Sequence, residues 1–318
     1  MRLVFMGTPE FAVPSLKAIL ASGHDVIGVV TQPDRPRGRG QKETPSPVKE
    51  VALENRLEIY QPEKVSDPEF IAMLRRLRPD CIVVVAFGQK IPAEILNLPP
   101  YGCINVHGSL LPRYRGASPM HRAIMSGEKI TGVTTMYLAE RWDAGDIILQ
   151  EAIEISYDMT VGELHDEIAR RGANLLVETL RRIEAGDAPR IPQNEVEATY
   201  APKLRPEEAW IEWSRPSEDI RNQIRGMNPR PGACTRHRGR MLKILAAQVV
   251  PATWSEVARA GGDQPATVTG VDRKSGFTVK TGDGALLVTR VQPEGGRAMS
   301  APEYMLGHEV EVGDLLGE

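Results

Sequence analysis

The chain has 318 residues, 41% of them hydrophobic and 25% charged, with a formal net charge of -3. That is the make-up of a folded protein long enough for two cores; it excludes a disordered chain and a dedicated polyanion binder, so any nucleic-acid contact must come from local patches. Three scattered cysteines, Cys81, Cys103 and Cys234, exclude a disulfide framework and fit a reducing cytoplasm, and no apolar run has the length of a membrane span or a secretory leader.

Residues 3–6, 26–30 and 81–87 are short apolar runs rich in β-branched side chains, the pattern of strands buried on both faces. Between them lie helical stretches at 14–21, 46–55 and 68–77, several opening on Pro or Ser as helix starts do. This alternation predicts a doubly wound, Rossmann-like α/β domain with a mostly parallel sheet covered on both faces. Residues 130–138 and 147–155 read as further strands, and 160–185 as a long amphipathic helix. Residues 186–206 are rich in proline and polar side chains and keep no period, which predicts a linker. After it, strand candidates at 241–250, 266–271, 277–280 and 285–292 are separated by Gly and Asp turns, as in a small OB-like β-barrel. The expected division is therefore 1–188, a linker at 189–206, and 207–318.

The most informative run is Asn105-Val106-His107-Gly108-Ser109-Leu110-Leu111-Pro112, followed downstream by Asp143-Ala144-Gly145. Residues 102–104 lead into it as a strand, and side chains two apart on a strand leave the same face, so Asn105 and His107 point together. The end of a parallel strand is where an α/β sheet opens a crevice. An amide donor beside an imidazole suits acyl or formyl transfer to an amine: Asn105 can donate to the oxygen that gains charge, and a protonated His107 can donate a second, charge-assisted bond. Asp143 can orient the histidine, raise its pKa, and accept through water the proton shed by the amine. A turn-capping Asn, a satisfied core His and a plain β-turn at 143–145 form the competing interpretation.

These residues and their surroundings resemble the formyltetrahydrofolate-dependent formyltransferases, whose motif is Asn-x-His, then Ser-Leu-Leu-Pro, then Asp-x-Gly. Matching segments span the chain, at 7–12, 31–36, 38–40, 45–49, 84–88, 102–116, 201–204, 211–213 and 228–229. The resemblance implies Asn105, His107 and Asp143 as a catalytic trio. It also implies that 10-formyltetrahydrofolate lies along Phe87, Gly88, Gln89 and Ile91 and along Ser109, Leu110, Leu111 and Pro112. Ser109 then serves the folate rather than acting as a nucleophile, and no Gly-x-Ser-x-Gly elbow surrounds it. The formyl group would pass to the α-amine of methionine on initiator tRNA. One stretch departs from the family pattern: where Met-Asp-x-Gly-Leu is usual, this chain has Leu138-Ala139-Glu140-Arg141-Trp142, which alters the loop expected over the pterin.

Two basic clusters are candidates for the tRNA. Arg35, Arg37, Arg39 and Lys42 lie in a Pro- and Gly-rich stretch that the resemblance places in the acceptor stem, with Arg39 at the weakly paired end; a solvated loop is the alternative. The second holds Arg221, Arg225, Arg230, Arg236, Arg238, Arg240 and Lys243, with no acidic residue between Arg221 and Ser255, an electrostatic footprint on composition alone.

Other motifs are weak. Gly7-Thr8-Pro9 opens a helix after the first strand, but there is neither a Gly-x-Gly-x-x-Gly nor a Walker lysine, which disfavours nicotinamide and ATP chemistry. His165-Asp166-Glu167 has no second histidine at ligand spacing and His121 has a structural explanation of similar weight, so no metal is expected. A formyltransferase acting on a small amine would leave both basic clusters without a role, and a formyltetrahydrofolate hydrolase would use water in place of the amine. Nothing in the sequence demands a dimer, and a monomer without membrane attachment is expected.

Overall fold

The computed structural model describes residues 1–37, 42–250 and 264–317. Their contacts divide the chain into two compact units. The first takes Met1–Pro119, Ile130–Glu154 and His165–Ala201, and the second Met120–Lys129, Ile155–Leu164 and Pro202–Glu318.

In the first unit the chain runs β1 (Arg2–Gly7), α1 (Val13–Ala21), β2 (Asp25–Val30), a short hairpin of β3 (Arg35–Arg37) and β4 (Lys42–Thr44), then α2 (Pro47–Glu54), β5 (Ile59–Tyr60), α3 (Pro68–Leu77), β6 (Cys81–Val85), α4 (Ala93–Leu96) and β7 (Cys103–His107). After α5 (Pro119–Met125) come β8 (Ile130–Tyr137), β9 (Ile147–Glu154) and the long α6 (Val161–Ala185). The seven-stranded sheet has the order β5-β2-β1-β6-β7-β8-β9. Strands β5 to β7 of that order pair in parallel, whereas β8 and β9 run antiparallel. The doubly wound expectation thus holds up to β7, and a β-meander finishes the sheet.

Local chemistry explains the elements that place the site. Every residue of β6 is buried, as a central strand covered on both faces must be. The Ser46 hydroxyl caps α2, accepting from Lys49 N at 3.1 Å, and Pro47 sets the first helical φ. On α3, Phe70, Ile71 and Leu74 lie on one stripe and pack with Val4, Met6, Ile82 and Val84 of the sheet. Since β2 and β6 flank β1 on opposite sides, the strand order reverses there, the place beyond the strands' carboxyl ends where sheets of this kind bind ligands.

The second unit carries α7 (Ser217–Met227), β10 (Ala233–His237), β11 (Arg240–Val249), β12 (Val268–Asp272), β13 (Gly276–Lys280), β14 (Ala285–Pro293), β15 (Met299–Ser300) and α8 (Ala301–Gly307). Its six strands are antiparallel in the order β10-β11-β14-β13-β12, with β15 on β14. Residues 313–317 lie between the two outermost strands. They exchange backbone hydrogen bonds with Ala266 and Val268 on one side, and Gly317 N donates to Arg236 O of β10 on the other. Ile220, Ile224 and Met227 of α7 pack with Phe277, Val279, Leu286 and Val288 to form this unit's core. The four sequence-predicted strands correspond to β11–β14; α7, β10, β15 and α8 lie outside that expectation, and most of α5 and the first turn of α6 also belong to this unit.

Residues 186–206, expected as a linker, carry two short 3-10 turns, at Glu195–Glu197 and Pro206–Ala209, the second extending past the segment. Up to Ala201 they belong to the first unit: Ile191 bridges to Ile147, and Tyr200 to Arg115.

Candidate active site

Strand β7 delivers Asn105 and His107 to one face of the sheet, as the period of two requires. Asn105 sits mid-strand between Val84 of β6 and Met136 of β8, while His107 ends the strand. Asn105 is half-buried, and its carboxamide has no hydrogen-bond partner among the described residues. His107 is only 6% exposed; its Nε2 donates to the Tyr114 carbonyl at 2.9 Å, and its Nδ1 lies 3.8 Å from Asp143 Oδ2. A carbonyl can only accept, so the Nε2 hydrogen is committed, and Nδ1 is the ring atom left for proton transfer. With Nε2 held by Tyr114 O, any donation from a protonated His107 to a reacting oxygen has to come from Nδ1.

Asp143 arrives from the connection between β8 and β9. That segment leaves the sheet where Leu138 N donates to Cys103 O at the start of β7, and it folds back to reach His107 at the strand's far end. Asp143 is 8% exposed and has φ +51, a left-handed conformation uncommon for a side-chain-bearing residue but best tolerated by Asp and Asn. Its Oδ2 also accepts from Gly116 N at 2.8 Å. Gly116 has φ +118, and a Cβ there would lie 2.8 Å from Ala201 O, so glycine is needed to aim that N–H. At Gly145 a Cβ would lie 1.9 Å from Tyr137 O, so the loop closes only around glycine.

Side chains beyond the proposed trio hold this loop. Gln193 Nε2 donates to Asp143 O and to Gly145 O, both at 2.8 Å, and its Oε1 accepts from Arg115 Nε at 2.9 Å. Arg115 is 1% exposed and forks onto Glu195 at 2.9 and 3.2 Å. Glu195 also accepts from Arg141 at 2.9 Å, and the bonds from Arg115 and Arg141 bring its carboxyl pKa down to about 2. The departure at Arg141 thus supplies a second cation for Glu195, and Trp142 stands exposed beside Asp143. Gln193 escaped sequence reasoning because it lies in a stretch without periodicity; its spacing of two from Glu195 carries no signal by itself.

The residues expected to hold folate divide. Phe87 and Ile91 are buried in the core cluster under α3. Gln89 is tied to the preceding loop, accepting from Val65 N and donating to Glu63 O. Ser109 Oγ donates to Arg113 O at 2.7 Å, and Leu111 packs with Met136 and Ile147. Leu110 and Pro112 are half-buried, with a cis peptide before Pro112. Ala86 and Gly88, at φ +47 and +88, expose the main chain just beyond β6, beside the end of β7.

Residues 1–180 match the family described as "Formyl transferase", and residues 203–309 its "Formyl transferase, C-terminal domain". The chain is 55% identical over 317 residues to the methionyl-tRNA formyltransferase of Moorella thermoacetica, covering 100% of this chain and 99% of that one. The chain belongs to the methionyl-tRNA formyltransferase family. The corresponding protein of Symbiobacterium thermophilum is 53% identical over 313 residues, or 98% of this chain and 94% of that one. Among solved structures, an N-formyltransferase from Helicobacter canadensis in complex with folinic acid and dTDP-3-aminofucose shares the fold, with a TM-score of 0.63 at 20% identity over 90% of this chain and 97% of that one.

In this formyltransferase the expected tRNA residues separate. Arg221 and Arg225 are buried. The Arg221 guanidinium bonds Tyr157 O, Asp158 and Glu218 and covers the Tyr157 ring; Arg225 bonds Asn222 and Met159 O, and burial lowers its pKa. Both are taken up by the second unit's own packing, which corrects their assignment to the tRNA face. Arg238 reaches Glu309 at 2.9 Å, Asp314 at 3.4 Å and Glu311 at 3.5 Å, so this member of the apparently acid-free run is neutralised by residues distant in sequence. Arg236 and Arg240 stay exposed, the first 5.4 Å from the Trp210 ring centroid, and Lys243 Nζ donates to Pro231 O at 2.7 Å. In the first unit Arg35 is exposed on the hairpin, where Arg37 and Lys42 pair in register; Arg39 lies outside the described residues. No group of metal-ligating side chains occurs among the described residues, and no helix among them is long and apolar enough to cross a membrane.

Proposed function

We propose that Asn105, His107 and Asp143 carry the transfer of a formyl group from 10-formyltetrahydrofolate to the α-amino group of methionine on initiator tRNA. The observation that carries this reading is Asn105: an amide with no partner of its own among the described residues, on the same strand face as a buried histidine and carboxylate in contact. Its N–H groups are free to meet the formyl oxygen as that oxygen gains charge, and one such donor is worth about 100-fold or more in rate. His107, with Nε2 committed to Tyr114 O, offers Nδ1 to the proton leaving the amine and returns it to the folate nitrogen as that nitrogen's bond to the formyl carbon breaks. Asp143 then faces the imidazolium, and Gly116 N keeps the carboxylate aimed. Folate supplies the one-carbon unit, held by the exposed backbone at Ala86 and Gly88 and by Leu110 and Pro112.

For the tRNA we propose Arg35, Arg37, Arg39 and Lys42 on the first unit, and Arg236, Arg240 and Lys243 on the second. The proposed division of labour is folate and catalysis in 1–188, a connecting segment at 189–206, and tRNA binding in 207–318. We take the enzyme to act as a monomer in the cytoplasm, which three free buried cysteines suit. The test mixes the chain with 10-formyltetrahydrofolate and offers charged initiator tRNA, charged elongator tRNA, free methionine or water. Formylation of the initiator alone is expected; equal formylation of elongator or free methionine, or hydrolysis in water at the same rate, overturns the reading.

A further inference from the structure

We propose that Gln193 is a positioning residue for formyl transfer, holding Asp143 against His107 through the main chain of the loop. The inference rests on the catalytic reading of Asp143 given above. A side-chain-bearing residue at φ +51 persists only where its surroundings over-determine it. Beside the Gly116 bond to its side chain, the constraint on the main chain is one carboxamide, whose nitrogen donates to the carbonyl of Asp143 and to that of Gly145 two residues on. Spanning two carbonyls from one nitrogen needs both hydrogens of a primary amide, while the bond from Arg115 needs an acceptor on the same group. Glutamate would keep the acceptor and lose both donors. Leucine, similar in size, would lose all three bonds.

The support behind Gln193 is itself fixed. Arg115 is a buried cation held by Gln193 and Glu195, and Glu195 returns to the loop through Arg141, two residues before Asp143. The loop is thus gripped on its main chain at 143 and 145 and on its side chain at 141. Small errors at such a site are costly, since a misplacement of about 1 Å can slow a reaction about 100-fold.

The experiment compares the full chain with Gln193→Glu, Gln193→Leu, Asp143→Ala and the Gln193→Glu/Asp143→Ala double variant, reading kcat, KM for donor and acceptor, and melting temperature. The expected result is a fall in kcat of about 10- to 100-fold for both single Gln193 variants, both KM values within about twofold, and no further loss when Gln193→Glu is added to Asp143→Ala. Should the leucine variant fail to fold, the glutamate variant decides, because it keeps the Arg115 acceptor. A kcat within twofold of the parent for Gln193→Glu, a loss confined to KM, or an equal loss in the Asp143→Ala background overturns the assignment. An Asp143→Ala chain with parental kcat overturns instead the catalytic reading on which it rests.

Discussion

At the end of β7, Asn105 and His107 share one strand face, His107 Nδ1 lies 3.8 Å from Asp143 Oδ2, and Asn105 keeps its hydrogen-bonding capacity open among the described residues. Around α7 and β10, arginines that look equally conspicuous are consumed by the protein itself, Arg221 and Arg225 inside its packing and Arg238 on Glu309 and Asp314. The difference teaches what each kind of signal measures. Alternation along a strand is a geometric constraint that survives folding. A run of like charges is a statement about one dimension only, and chain folded in from elsewhere can bury or neutralise it.

The sharpest way to break the comparison is at β7. Asn105→Ala is expected to lower kcat by about 100-fold or more, and Asp143→Ala comparably, with folate binding retained in equilibrium dialysis and a cooperative melt preserved. Normal turnover in both variants would remove the contrast altogether. The second unit offers an intermediate effect. Arg221→Ala is expected to destabilise by about 1–3 kcal/mol in urea unfolding, because it strips the Tyr157 carbonyl of its partner. Arg236→Ala and Arg240→Ala are each expected to stay within about 0.5 kcal/mol. They should instead weaken tRNA binding and lower the slope of log K against log salt by about 1 for each phosphate that no longer meets an arginine. The reverse outcome, with Arg221→Ala changing only the salt slope, would restore it to the tRNA face.

The smallest effect is a pH dependence. Arg122 forks onto Glu208, with one bond at 3.0 Å, and together with Arg205 N it lowers the Glu208 pKa from the ordinary 4.5 to about 2. Its folded value is depressed, so its contribution is complete above about 4.5 and is lost as the pH falls towards 2. The urea midpoint of the parent should therefore exceed that of Glu208→Gln at pH 7, and the gap should close by about pH 2.5. A gap that is constant with pH would place the effect in packing rather than charge.

Much of this was legible in the sequence. Continuous apolar runs marked β1, β2 and β6, the Pro and Ser starts marked α2 and α3, and the period of two put Asn105 and His107 on one face. Other features depend on contacts between residues far apart. The turn to antiparallel pairing at β8 leaves no trace in composition, since a strand in the middle of a meander is as apolar as a parallel one. The commitment of His107 Nε2 to Tyr114 O, the internal bond of Ser109 and the burial of Phe87 depend on how a loop returns, which no local pattern encodes. The same is true of residues 191–201, which read as a connector because they bond irregularly, Ile191 to the edge strand β9, Gln193 to the 143–145 loop, and Thr199 and Ala201 to the turn at 112–118.

The stretch at 313–317 bears on how the protein behaves in concentrated solution as much as on its fold. One short ribbon lies along Ala266 and Val268 at the start of β12 and touches β10 only at Arg236 O, where residues 210 and 211 already pair with Cys234. If it peels away, the start of β12 is bared as a template for strand addition, while β10 stays partly covered.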